Sequence, residues 1–431
     1  MVIRVVVALG TKTGSAGRLG LLCLLTVLIA FAAGAYQRAP ANRGKAPSDV
    51  VEVPVGINKR LWRRRIPPNN RMSAAKVALG EALYFDKRLS ADGTVSCATC
   101  HDPANAFTDH GVVAVGVSNK SGTRNAPTIL NAMFSRQLFW DGRVDSLEEQ
   151  AKQPLTNPFE MGMLDTVAIV ERLRDVPEYK EKFRRAFGDE SITIEMIVKA
   201  IAAFERTQLS ANSPFDRFIA GDKSAITKVQ QRGWILFRNK AKCIECHNFS
   251  AVSPFFTDFK FHNTGVVARN MDFDQLARLA SEIANAQTAS GGDTSNTSLS
   301  AVIQSSSTQV EKLTPLLAHT PGFTELGRFL VTKQPRDLGA FKTPTLRDVE
   351  LTTPYMHNGS EKTLIDVVRF YNRGGNPNAA LDKNMRPLNL SEEEMNDLVE
   401  FMRALTSYDV VRRSQGTRPQ SREAVRLKPD E

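Results

Sequence analysis

The chain has 431 residues, 42% of them apolar and 24% charged, with a formal net charge of +10; this is room for two ordinary domains plus flanks, and it excludes a disordered or fibrous class. The charge sits at the ends. Residues 1–35 hold three basic and no acidic residues, 36–71 nine and two, and 411–431 six and three, leaving about −3 for 72–410, so the body lacks the basic face of a nucleic-acid-binding core.

In chain order, Arg4, Lys12 and Arg18 precede or enter an apolar stretch from Leu19 to Ala33, closed by the small residues Ala33-Gly34-Ala35. This predicts an export signal over 1–35, hence a periplasmic protein, with an uncleaved membrane anchor as the alternative. Residues 36–71, rich in Pro, Arg and Asn, read as a basic linker. Helical periodicity covers Ala74 to Phe85, 163–188 and 191–209, where Ile194, Ile197, Val198, Ile201 and Phe204 mark one face. A boundary at 212–224 separates a first domain, 72–212, from a second, 213–408. Ile226 to Asn239 predicts a helix, and Ser391 to Leu405 a closing helix with Ser391 as N-cap and Glu394 completing a capping box. Residues 270–325 form an insertion that is Ser/Thr/Gly-rich from Gln287 to Thr308, read as inert rather than as a lid. Residues 409–431 read as a basic tail. The two basic flanks are solvated segments, or contacts for an anionic membrane surface or an acidic partner.

The cysteines are the sharpest signal. Cys23 lies in the export segment; the other four form Cys97-Ala98-Thr99-Cys100-His101 and Cys243-Ile244-Glu245-Cys246-His247. C-x-x-C-H is the attachment site of a c-type haem: two thioether bonds to the macrocycle and an adjacent histidine on the iron. A zinc site does not explain the histidine after both pairs, and a disulfide framework does not explain why no mature cysteine lies elsewhere. The fold class expected is mainly α, two cytochrome-c-like domains each binding one c-type haem.

Further segments carry a resemblance: Leu79-Gly80-Glu81-Ala82-Leu83, Arg124-Asn125-Ala126-Pro127-Thr128, Phe139-Trp140-Asp141-Gly142-Arg143, Glu160-Met161 and Phe341-Lys342-Thr343-Pro344-Thr345-Leu346-Arg347. Over about 74–408 the chain resembles the bacterial dihaem cytochrome c peroxidase and MauG family. The resemblance implies a peroxidatic haem on His101, an electron-transfer haem on His247, and a calcium ion and a tryptophan between them. By motif, Trp140 matches that tryptophan, Glu160 and Gln150 the acid and amide beside the peroxidatic iron, and Asn125, Thr352 and Pro354 the calcium ligands. A desolvated carboxylate suits moving a proton from the inner to the departing oxygen of hydrogen peroxide, and carbonyl and amide oxygens suit a hard cation.

Two departures decide between branches. The cytochrome c peroxidases of the family place a blocking histidine before the R-N-x-P-T segment; counting back from Arg124, Val117 holds that place, and His110 lies seven residues earlier. Where those enzymes use methionine as second ligand of the other haem, the segment Val367 to Arg373 resembles the MauG pattern with tyrosine, making Tyr371 the expected ligand and Met356 its rival. A phenolate favours the ferric iron. Both departures favour a MauG-like enzyme, which spends its oxidising equivalents on a partner protein or peptide. The alternatives are a peroxidase fed by a small cytochrome or copper protein, and a non-catalytic electron carrier. His262, His319 and His357 receive no assigned chemistry.

Overall fold

In the computed structural model of the chain, residues 51–266 and 318–414 are described; the export segment 1–35, residues 36–50 and residues 267–317 lie outside the described residues. Among the described residues the first helix, α1 (Lys59–Arg64), is capped by the Asn58 side chain. Its Trp62 is buried among Phe134, Leu138 and Leu209 and donates from Nε1 to the Arg206 carbonyl at 3.4 Å. The linker reading is therefore corrected for 51–71: Val53, Ile57 and Trp62 carry enough apolar surface to dock that stretch onto the body.

Next come α2 (Ala74–Tyr84), α3 (Leu147–Thr156), α4 (Thr166–Arg174), α5 (Pro177–Phe187) and α6 (Ile194–Glu205). The single helix expected over 163–188 is two, because Pro177 opens α5 and cannot donate into a preceding turn. The stretch 212–224 holds a short helix, α7 (Pro214–Ile219), with Phe215 fully buried. After α8 (Lys228–Arg238), strands β1 (Phe261–His262) and β2 (Phe341–Lys342) pair antiparallel, Phe261 opposite Lys342. The described residues end in α9 (Leu364–Asn372), α10 (Glu392–Arg403) and α11 (Tyr408–Ser414), and 415–431 lie outside them. The Ser391–Glu394 capping box is present as expected. The basic tail is shorter than 409–431, since Val410 on α11 is buried in the first core cluster.

The fold is mostly helical with this small sheet. One core cluster includes Leu79, Leu83, Phe183, Ile197 and Ile201; another includes Phe215, Phe237, Leu398 and Phe401. Each is organised around the same kind of crossing. A Cβ on Gly80 of α2 would fall 1.9 Å from the Ala200 carbonyl of α6, and one on Gly233 of α8 2.0 Å from the Asp397 carbonyl of α10. Only glycine lets these backbones approach so closely. Phe204 lies next to the first contact and Phe401 next to the second. The helix that precedes each C-x-x-C-H motif is thus pinned by a glycine to a later helix.

Candidate haem sites and the acid beside them

Cys97 and Cys100 sit on a single helical turn, and the Tyr84 hydroxyl of α2 donates to the His101 carbonyl at 2.7 Å. His101 donates from Nδ1 to the Phe107 carbonyl at 3.3 Å, and His247 from Nδ1 to the Phe256 carbonyl at 2.9 Å. Burial lowers the pKa of both imidazoles. Each is therefore a neutral ring with Nε2 left for a metal, the arrangement an axial ligand needs. Burial pushes the thiols of Cys97, Cys100 and Cys243 up to about 12, so they are not thiolates. Among the described residues no group of three or more His, Cys, Asp or Glu is placed to hold a metal ion, so the cysteine pairs do not pool into a zinc centre. Free, paired cysteines with an oriented imidazole beside each pair fit two covalently attached haems.

Cys243, Cys246 and His247 open onto a large cavity whose wall also carries Tyr371 and Met356. Burial raises the Tyr371 phenol well above its usual value, with the thiols of Cys246 and Cys243 adding to the effect. Three further groups on this wall escaped sequence reasoning. Met385 is another thioether, marked by no motif. Lys342, in the middle of the Phe341–Arg347 segment, has its pKa lowered to about 8 by burial. His262 lies 3.0 Å from Asp258 and 2.6 Å from Asp382; hydrogen bonds with Asp258 first, then Cys246 and Asp382, push it up to about 11.

Trp140 lines the same cavity. Its Nε1 donates to the Asn125 carbonyl at 2.9 Å, its own carbonyl accepts from Lys342 at 2.8 Å, and its ring stands edge-on to His357 at 6.4 Å. The segment around it is pinned by buried Asp141, which holds Arg124 at 2.7 Å and Arg143 at 3.0 Å. His357 stacks on Phe341 at 3.6 Å and meets Glu325 at 2.8 Å. Asn125, Thr352 and Pro354 all line this cavity.

Beside the first motif, α3 carries Pro154 in its last turn and ends at Thr156, and the chain turns so that Glu160 N–H donates to the Asn157 carbonyl at 3.0 Å. Glu160 Oε1 accepts from Asn157 Nδ2 at 3.1 Å and lies 3.2 Å from His319 Nε2. Burial alone would raise the Glu160 pKa, but the hydrogen bond and charge of His319, with Arg143 and His101, hold it below the usual carboxylate value. Gln150 is half-buried on α3, and among the described residues no hydrogen bond joins its side chain to Glu160. Val117 is buried in the first core cluster and its N–H donates to the Glu160 carbonyl at 2.9 Å. His110 is exposed, its Nε2 3.1 Å from the Leu351 carbonyl.

His319 and Glu325 belong to the stretch 270–325, and the inert reading is corrected for its end: Ala318, Phe323, Thr324 and Glu325 are buried, and Thr123 donates to the Ala318 carbonyl at 2.6 Å. No spacing in the sequence ties His319 to Glu160, 159 residues away.

A helical body with two oriented Cys-x-x-Cys-His sites, an acid beside one and a tryptophan on the wall of the other defines a dihaem c-type cytochrome equipped for peroxidase chemistry. The family model described as di-haem cytochrome c peroxidase matches residues 74–224. The methylamine utilization protein MauG of Methylorubrum extorquens is 36% identical over 392 residues, 88% of this chain and 95% of the relative. The cytochrome-c peroxidase IdrP1 of Denitromonas iodatirespirans is 37% identical over 344 residues, 79% of this chain and 84% of the relative. A crystal structure titled as a MauG-like protein associated with microbial copper homeostasis superposes with a TM-score of 0.63 at 29% identity, covering 87% of this chain and 97% of that one. The chain belongs to the dihaem cytochrome c peroxidase and MauG family, and is a haem peroxidase.

Proposed function

We propose that the chain reduces hydrogen peroxide beside His101 in the MauG manner and spends the oxidising equivalents on an aromatic side chain of a partner protein or peptide in the periplasm. A haem held by Cys97, Cys100 and His101 supplies the iron that binds peroxide and takes part in the electron transfer. Glu160, with Gln150, takes the proton from the inner oxygen and returns it to the departing one. Trp140 would be the aromatic step toward the second site, where Cys243, Cys246, His247 and Tyr371 would hold the second haem. Asn125, Thr352 and Pro354 would hold a calcium ion beside it. What supports this reading is the count back from Arg124, which puts Val117, an apolar and buried side chain, at the place of the peroxidase branch's blocking histidine, while His110 is engaged with Leu351.

The peroxidase branch keeps one point in its favour, since Met356 and Met385 both line the second cavity and a thioether ligand raises the potential into the range of a cytochrome donor. Steady-state oxidation of reduced cytochrome c by peroxide separates the two. Turnover at or below about 1 s⁻¹, the low end of ordinary enzyme rates, is expected; sustained turnover near 100 s⁻¹ would favour the peroxidase branch.

A further inference from the structure

We propose that His319 is the proton partner of Glu160, so that the acid beside the first haem site works as a Glu–His pair rather than as a lone carboxylate. The inference rests on the reading of Glu160 as the peroxide-facing acid. Three atoms meet there: Glu160 Oε1, Asn157 Nδ2 and His319 Nε2, at 3.1 Å, 3.2 Å and 2.7 Å from one another. The Asn157 amide is not free to flip, because its Oδ1 accepts from the Phe159 N–H at 3.0 Å. Its two N–H bonds therefore point at the carboxylate and at the imidazole. Nε2 has a single lone pair, so it either accepts from Asn157 or takes a proton held on Oε1, the second displacing the first. When the imidazole takes that proton, Nε2–H faces an ionised carboxylate. The proton moves between two oppositely disposed groups without a change in net charge at the pair.

The imidazole is held for this purpose. Its ring stacks on Phe159, with 6° between the planes and 5.7 Å between centroids, and only 11% of the side chain is exposed. The Ala318 carbonyl next to it is tied to Thr123, and Arg124 reaches the Thr324 hydroxyl at 3.0 Å. Nδ1 is buried and has no hydrogen-bond partner. A buried imidazole nitrogen left unpaired costs stability, and it is the atom that would give up a proton when Nε2 takes one. His319 acts on peroxide through Glu160 and is therefore a positioning and relay residue.

Binding of cyanide to the haem-loaded ferric protein, followed optically across pH, tests this apart from turnover, since hydrogen cyanide must give up its proton as the anion binds. Besides His319, the charged or titratable groups facing Glu160 are Arg143, His101, Cys97 and Cys100, and all are kept, the cysteines as thioethers in the haem-loaded protein. In the wild type, binding slows at acid pH as Glu160 is protonated. In His319→Gln the acid limb should move up by about one unit and binding at pH 5 slow about tenfold, one unit being a factor of ten, with the ferric spectrum before cyanide unchanged. In Glu160→Gln the limb should vanish. If Glu160→Gln matches the wild type, the reading of Glu160 fails. If Glu160→Gln loses the limb while His319→Gln keeps the wild-type profile, the pair fails and the reading of Glu160 stands. Should His319→Gln not load haem, Asn157→Ala removes the aligning amide; an upward shift in the same sense supports the pair, and an unmoved limb overturns it.

Discussion

A carboxylate that takes a proton and returns it is effective only while it is ionised at the outset and shielded from bulk water. Hydrogen bonds and charge from its neighbours hold Glu160 ionised, and on the proposed reading Glu160→Gln should slow the single-turnover reaction with peroxide by roughly 10²- to 10⁴-fold, the span of one general acid–base group, with haem content unchanged. Its folded-state pKa is depressed, so the stability this gives is present above the usual carboxylate pKa and is lost as pH falls through the folded value. Glu205 behaves in the opposite way. Burial pushes it up to about 8, and its Oε2 has no hydrogen-bond partner. Its folded pKa lies above the unfolded one, so stability is full at pH 4 and declines as pH rises toward 8. Glu205→Gln should therefore equal the wild type in thermal unfolding at pH 4 and exceed it by on the order of 2 kcal/mol at pH 9. At the second site, Tyr371→Met should raise the reduction potential of the haem on His247, read by spectroelectrochemical titration; an unchanged potential would mean that Tyr371 is not the ligand.

At the scale of elements, the two glycine crossings make the sharpest demand. Gly80→Ala and Gly233→Ala each force a methyl into a backbone carbonyl and should cost about 1–3 kcal/mol in chemical denaturation. Arg347, the last residue of the Phe341–Arg347 segment, holds Asp216 at 2.8 Å and 2.7 Å with both groups buried. Arg347→Ala leaves that carboxylate unpaired, at a cost of about 3–5 kcal/mol. These elements also show what a sequence discloses. Caps are local chemistry, and Ser391 with Glu394 was legible as such. The C-x-x-C-H motifs were legible because the attachment chemistry dictates five consecutive residues. The break at Pro177 was written in the sequence but outweighed by amphipathic periodicity on both sides. Trp62, Val410 and His319 were not legible, because each gains its meaning from a partner far along the chain: Arg206, the first core cluster and Glu160.

For the whole molecule, the proposed calcium ligands come from separate segments, Asn125 on one and Thr352 and Pro354 on another. The wall they form also carries Trp140. If they hold a calcium ion, chelation should lower the unfolding temperature of the haem-loaded protein and change the spectra of both haems together, restored by calcium but not by magnesium, which tolerates fewer protein ligands. A spectrum indifferent to chelation would remove calcium from the account.

On the proposed reading the first iron stands open in the oxidised protein, which electron paramagnetic resonance of the diferric protein before and after one equivalent of peroxide would show. One high-spin and one low-spin ferric signal, both lost on peroxide addition without prior reduction, is the predicted result. Two low-spin signals that ignore peroxide until the protein is half-reduced would contradict it, and would mean that a sixth ligand such as His110 closes the first haem.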